Sequence, residues 1–202
     1  MRATEAIKEL HDIGRPVIET GEALARLDVS SAHGGWLLRS LESAGLIRRL
    51  RHGLWLIDLD ADPFSIPPYL TAPFPAYVSL WSALSRHGMI EQIPARISVV
   101  SLDRPRTVDT PLGNYSIHHL APEVFGGFEG SEEMGYFATP EKALFDTAYL
   151  QAARRRTVYL PELELPEPFD ASVIDEWIER IHAPWLRSKV ATSTTSLLEA
   201  AA

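Results

Sequence analysis

Apolar residues in the first part of the chain recur about every three to four positions, which is the period of an α-helix. A first helix is predicted over 4–13, where Gly14 ends the pattern, and a second over 21–27, with Thr20 as its N-cap. A third helix is predicted to begin at Ser30 or Ser31, one of which caps it, and to end at about residue 44. These helices place a compact helical unit at the start of the chain.

The third helix has an apolar and a polar face, and a hairpin follows it. The face predicted to be buried carries Gly34, Leu37, Leu38 and Leu41. The outward face carries Ala32, Gly35, Trp36, Arg39, Ser40 and Ser43. After Gly45, the predicted C′ residue, segments 46–50 and 54–57 alternate like strands around a turn at 51–53. The paired glycines are expected to allow the second helix or a DNA backbone to approach closely.

Three helices followed by an arginine-bearing hairpin are the elements of a winged helix-turn-helix domain, which we predict for residues 1–58. The third helix would enter the major groove, and the wing would contact phosphates or a narrow minor groove. The candidate DNA-binding residues are Ser30, Ser31, His33, Trp36, Arg39, Ser40, Arg48, Arg49, Arg51 and His52.

Three of these candidates carry a reservation. Arg48 and Arg49 are adjacent, so in a strand they face opposite sides and only one is expected to touch DNA. Trp36 is expected to pack against the linker or a partner in preference to stacking on DNA. A winged helix that serves as a protein-interaction module is the alternative to DNA binding.

The charge of the chain is divided unevenly. The formal net charge is −8, which taken alone argues against a nucleic-acid partner. Residues 1–58 contain equal numbers of basic and acidic side chains, so the whole acidic surplus follows residue 58. The charge therefore indicates two units with different roles.

A proline-rich segment separates the two units. Five of the fifteen prolines lie between Asp60 and Pro75, and neither a helix nor a central strand is expected there. We predict an irregular interdomain linker over 59–75 and a second domain over 76–202.

The second unit alternates helical and strand-like patterns, which predicts an α+β fold class with a mixed α/β C-terminal domain. An amphipathic helix is predicted over 77–88, strands over 96–101, 115–120 and 135–138, and a largely buried helix after its N-cap Thr139. A last helix over 172–182 carries an apolar stripe that is expected to dock on this domain, with a dimer contact as the alternative. Pro184 breaks it, and the chain is expected to lose regular structure at 192–196.

Four segments of the second unit form a recognisable series: Tyr77-Val-Ser-Leu-Trp-Ser-Ala-Leu-Ser-Arg-His-Gly-Met-Ile-Glu-Gln92, Pro94-Ala-Arg-Ile-Ser-Val99, Phe125-Gly126 and Ala138-Thr-Pro-Glu-Lys-Ala-Leu-Phe-Asp146. Taken together, in this order and after a winged helix, they resemble the AbiEi-type antitoxins, the DNA-binding regulators of type IV toxin–antitoxin systems. The resemblance covers about residues 5–150 and fades beyond them.

The resemblance implies a regulator that represses its own operon by binding inverted repeats in the promoter. A homodimer would suit a repressor that reads paired half-sites. The resemblance also implies that the C-terminal domain counteracts a nucleotidyltransferase toxin, with or without direct contact. The alternatives are a stand-alone regulator and an interaction module that binds a partner through its acidic domain. The residues of the antitoxin-domain motif are Ser79, Arg86, His87, Glu141, Lys142 and Asp146.

No feature of the sequence points to catalysis or to a cofactor. There is no cysteine, P-loop, nucleophile elbow, HExxH or GxGxxG motif, and neither cofactor nor metal is expected. His118 and His119 are adjacent on a predicted strand and would face opposite sides, which suits a metal poorly. Lys142 and Asp146 are expected to form a surface or semi-buried ion pair. No segment predicts a membrane span, so a cytoplasmic protein is expected. Because the catalytic motifs are missing, the protein is not expected to be an enzyme.

Overall fold

The protein is a mixed α+β structure with two β-sheets, in agreement with the predicted fold class. The structure is a computed structural model that describes residues 3–156, 160 and 162–201. Within these ranges, no helix has both the length and the apolar character that crossing a bilayer requires.

The first unit contains three helices and a small antiparallel sheet. Its elements are α1 (Ala3–His11), β1 (Val17–Glu19), α2 (Thr20–Arg26), α3 (Ser31–Ser43), β2 (Arg48–Arg51) and β3 (Leu54–Leu56). The strand order is β1-β3-β2. The three predicted helices and the hairpin are confirmed, whereas β1 was not predicted because three residues are too few for an alternating pattern to stand out.

The ends of α2 and α3 differ in how well the sequence predicted them. Gly45 has a φ of +72° and follows α3 directly after its C-cap, as predicted. The N-cap of α2 is Glu19, so the prediction that Thr20 caps it is wrong. Thr20 is the first helical residue, and its hydroxyl instead accepts a 2.8 Å hydrogen bond from the indole nitrogen of Trp55.

The proline-rich segment contains helical turns, so the prediction that it holds none is wrong. A 3₁₀ turn spans Pro63–Ser65, and α4 spans Pro67–Thr71. Prolines occupy the first positions of both, where a missing N–H removes no hydrogen bond. Ile66 and Leu70 are buried, because the segment contributes to a core that it shares with both sheets.

The second unit is built on a six-stranded mixed sheet. Its elements are β4 (Ala76–Val78), α5 (Leu80–Arg86), β5 (Ile97–Ser101), β6 (Arg106–Thr110), β7 (Gly113–His119), β8 (Phe128–Ser131), β9 (Gly135–Ala138), α6 (Pro140–Ala153), α7 (Ala171–Glu179) and α8 (Pro184–Ala201). The strand order is β6-β7-β5-β4-β9-β8. The strands predicted over 96–101, 115–120 and 135–138 correspond to β5, β7 and β9.

The helix predicted over 77–88 is interrupted at its start. Residues 76–78 form β4, which pairs with β5 on one side and β9 on the other, and α5 begins only at Leu80. Tyr77 is therefore a sheet residue and not part of the helical stripe. A fully buried strand of three residues lacks an alternating pattern, which is why helical periodicity appeared to include it.

The helices of the second unit pack around α6, which is buried along most of its length. The apolar stripe of α7, with Ile174, Trp177 and Ile178, is buried in the same core, as the docking prediction required. The chain does not lose regular structure at 192–196, because α8 continues through this segment. Thr194 is buried there and bonds to the carbonyl of Val190.

The two sheets face each other across a shared apolar core. The first sheet contributes Leu50, Leu54 and Leu56, and the second contributes Val99 and Ile117. One face of the N-terminal sheet is therefore covered by the second unit, while its other face covers the three helices. This placement determines which side chains of the hairpin are free to bind a partner.

Candidate nucleic-acid interface and a buried charged cluster

The start of α3 is exposed. Ser30 is the N-cap residue, with an extended backbone, but its side chain makes no capping hydrogen bond, so the predicted hydroxyl cap is absent. Ser31 is the first helical residue and is also exposed. The helix N-terminus thus presents N–H groups and the Ser30 hydroxyl to solvent, a combination that suits a phosphate.

The outward face of α3 presents an aromatic pair and an arginine. The rings of His33 and Trp36 stack with their centroids 6.0 Å apart, and Trp36 is 59% exposed. The expectation that Trp36 packs against the linker is therefore wrong for the chain by itself. Arg39 is exposed on the same helix, whereas Ser40 is half-buried.

The two glycines of α3 lie on different faces. A Cβ at Gly34 would lie 1.7 Å from the Cδ2 atom of Leu24, so α2 and α3 approach each other at this point as expected. A Cβ at Gly35 would meet no atom nearer than 4.0 Å. Only Gly34 is required by packing within the protein.

The strand register separates the two adjacent arginines of the hairpin. Arg48 pairs with Leu56, which packs toward the second sheet, and Arg49 pairs with Trp55, which packs against the helices. The two arginines therefore face opposite sides, as predicted. Arg49 lies on the side of α3. Arg51 and His52 are exposed at the turn.

The second group of candidates surrounds a buried ion pair. Lys142 and Asp146 are both 0% exposed, so the prediction of a surface or semi-buried pair is wrong. The Lys142 ammonium donates to Asp146 and, over 2.8 Å, to the carbonyl oxygen of Val124. Asp146 also accepts hydrogen bonds from the hydroxyls of Ser79 at 2.7 Å and Tyr77 at 3.0 Å.

Aromatic rings enclose the ammonium group. The Lys142 nitrogen lies 4.5 Å from the ring centroid of Trp177 and 4.7 Å from that of Phe145. Burial lowers the pKa of Lys142 and raises that of Asp146, while each charge opposes the shift of the other. The cluster joins β4, the start of α5 and α6, and neither Lys142 nor Asp146 reaches solvent.

The other residues of the motif make separate structural contacts. The Arg86 guanidinium lies 4.0 Å from the ring centroid of Phe137, and Nε2 of His87 lies 2.7 Å from the carbonyl oxygen of Ala138. A Glu141 carboxylate oxygen accepts from the backbone N–H of Asp170 at 3.1 Å. Of the motif residues, Ser79, Lys142 and Asp146 come together in the cluster. The other three, Arg86, His87 and Glu141, lie outside it.

Sequence reasoning missed several members of the cluster. Tyr77 was assigned to a helix, and the contributions of the Val124 carbonyl and Trp177 come from parts of the chain far from Lys142. The available signal was the mostly apolar helix 140–153, in which a lysine and an aspartate four residues apart must either reach solvent or pair.

An acidic cleft lies between the two units and was also not predicted. Its volume is about 750 Å³, and its lining includes residues from the end of α1, from the proline-rich segment and from the β8–β9 turn. The carboxylates in this lining are Asp58, Asp60, Asp62, Glu132 and Glu133. Arg15 also lines it and is paired with Glu22 outside the lining.

The described residues contain no group of three or more His, Asp or Glu side chains arranged to hold a metal. His118 lies 3.1 Å from the Ser116 hydroxyl and 2.9 Å from an Arg154 nitrogen, whereas Nδ1 of His119 lies 3.3 Å from the carbonyl oxygen of Asp103. Adjacent positions in β7 direct the two rings to opposite faces.

Comparison of the chain with protein-family models and with curated proteins found no match. The function is therefore inferred from the arrangement of the side chains and from the motifs quoted above.

Proposed function

We propose that the protein is a DNA-binding transcriptional regulator whose residues 1–58 form a winged helix-turn-helix domain. The order of elements supports this proposal: α1, β1, α2 and α3 are followed by the β2–β3 hairpin, and β1 completes a three-stranded sheet. In such a domain α3 is the recognition helix and the hairpin is the wing.

The observation that carries the proposal is the exposure of arginines on the helix side of the sheet. Arg49 points to this side because it pairs with Trp55, and Arg39 is exposed on α3 itself. In the proposed complex Arg39 binds a base edge or a phosphate in the major groove, and Arg49 binds a phosphate beside it.

The net charge does not oppose this function. The acidic surplus follows residue 58, and several of its carboxylates line the cleft between the units. Negative charge away from the binding face weakens general attraction to DNA, because the long-range field of the whole protein is repulsive. Specific contacts near the arginines are screened from that field by salt.

A second role is proposed for the C-terminal unit. The resemblance of residues 77–92 and 138–146 to AbiEi-type antitoxins supports an antitoxin that counteracts a nucleotidyltransferase toxin. The operator would then be inverted repeats in its own promoter, bound by a homodimer if the two half-sites are read together. Growth rescue during co-expression with the product of the adjacent gene tests this role.

DNA binding is tested by removing two arginines at a time. We expect R39A/R49A to weaken binding to the protein's own promoter fragment. We also expect the salt slope, which is the slope of log affinity against log salt concentration, to become shallower by about 1.8 because about two phosphate contacts are lost. R155A/R156A is the matched control, since it removes the same charge from exposed positions in the second unit. Equal affinity of R39A/R49A and the parent protein would contradict the proposal. Failure to bind DNA combined with co-purification of the adjacent gene product would favour an interaction module.

A further inference from the structure

The Arg49 side chain is held by neighbours although it is exposed. An arginine on the surface of a strand samples many rotamers, and fixing one on binding costs about 0.5–1.5 kcal/mol, or about a twofold to tenfold loss of affinity. Contacts that fix the side chain beforehand remove this cost. Arg49 has three such contacts, all within the hairpin.

Two of the contacts are hydrogen bonds. Nη2 of Arg49 lies 2.8 Å from Nδ1 of His52, and its Nε donates to the carbonyl oxygen of Arg51 over 3.4 Å. Because an arginine only donates, Nδ1 must be the acceptor. His52 is therefore neutral in this arrangement and carries its proton on Nε2.

The third contact is the face of an aromatic ring. The Arg49 guanidinium carbon lies 5.7 Å from the ring centroid of Trp55, within the range of a cation–π interaction. The ring is fixed in turn, since Trp55 is only 6% exposed and its indole nitrogen donates to the Thr20 hydroxyl. Arg49 is thus linked through Trp55 to the start of α2.

One side of the guanidinium remains free. Among the described residues no acceptor lies at Nη1, and Nη2 has a second N–H beyond the one directed at His52. We propose that His52 and Trp55 are positioning residues that hold Arg49 with these donors presented to a DNA phosphate. This inference rests on the proposed DNA-binding function, and it gives His52 a role other than direct contact with DNA.

A double-mutant cycle separates positioning from direct contact. The probe is a short duplex enriched by this protein from a random-sequence pool. Binding is measured at several salt concentrations, at a pH above the ordinary pKa of histidine. We expect R49A to weaken binding about tenfold and to lower the salt slope by about 0.9. We expect H52A to weaken binding about threefold with an unchanged slope, and to have no effect in the R49A background.

Conservative variants test the geometry. H52N retains a side-chain acceptor and is expected to recover part of the loss, and W55F retains an aromatic face and is expected to bind within about twofold of the parent protein. Thermal melting verifies that each variant is folded. Additive effects of H52A and R49A, or a lower salt slope for H52A, would overturn the positioning role.

A measurement without DNA keeps this inference separate from the proposed function. NMR relaxation of the Arg49 Nε–H group reports its order in the free protein. We expect an ordered group in the parent protein and a mobile one in H52A. Equal mobility in both proteins would overturn the positioning role even if DNA is bound, whereas a parent protein that enriches no duplex overturns the proposed function instead.

Discussion

The hydroxyl of Ser79 donates a 2.7 Å hydrogen bond to the carboxylate of Asp146, which lies 67 residues later in the chain. Ser79 is the N-cap residue of α5, and Asp146 lies within α6, so the bond joins two helices at a fully buried point. Because Asp146 also pairs with Lys142, an acidic and a basic side chain are enclosed together in the core. Such a pair is stable only while every member keeps its partners.

Removal of one member of the pair should destabilise the protein strongly. We expect D146A to lower the free energy of unfolding by about 3–5 kcal/mol, because Lys142 would remain buried without its counter-ion. The double variant K142M/D146L should lose less than the sum of K142M and D146L. Urea denaturation provides the measurement, with K8M at an exposed position of α1 as the control. A loss below about 1 kcal/mol for D146A would contradict a buried charged pair.

The pairing of Lys142 with Asp146 was predicted from their spacing, whereas their burial was not. The i,i+4 spacing on one helix is local, and so are the Thr139 cap and the Gly45 exit, all of which the structure contains. Enclosure of the pair depends on Trp177 and on the carbonyl of Val124, which reach it through tertiary packing. Local patterns carry no information about such distant neighbours.

The difference between local patterns and tertiary packing also explains which strands were predicted from the sequence. The strand predicted over 96–101 is observed as β5, while β4 was absorbed into a helical pattern because both faces of this central strand are buried. In the candidate interface, the opposite facing of Arg48 and Arg49 was predicted from strand geometry. The contacts of Arg49 with His52 and Trp55 depend on the register of the hairpin, which the sequence alone did not specify.

The two glycines of α3 should respond oppositely to substitution. G35A should raise the free energy of unfolding by about 1 kcal/mol, because alanine favours the helix and the site is open. G34A gains the same propensity but forces Leu24 and Val29 to move, which costs about 1–3 kcal/mol. The expected net result is a less stable protein in thermal denaturation. If L24A does not reduce the loss caused by G34A, the close approach of α2 is not its cause.

His118 should make stability depend on pH. Burial, together with the neighbouring Arg154, lowers its pKa from 6.5 to about 4. Between these values the unfolded chain binds more protons than the folded protein, so the free energy of unfolding should rise as the pH increases from about 4 to 6.5. Urea midpoints across this range should show a smaller rise for H118Q. H119Q, at the adjacent exposed position, should retain the full rise, and an identical profile for H118Q and the parent protein would contradict the assignment.

Arg48 and Arg49 carry the same charge one position apart, so their replacement separates geometry from electrostatics. If only the general charge of the wing attracts DNA, R48A and R49A should weaken binding equally. The register predicts otherwise, because Arg48 is on the side of the sheet that faces the second unit and Arg49 is on the side of α3. We expect R49A to weaken binding about tenfold and R48A less than about twofold in titrations against the same duplex. Losses of equal size would mean that DNA approaches the tip of the hairpin and not the surface formed with α3.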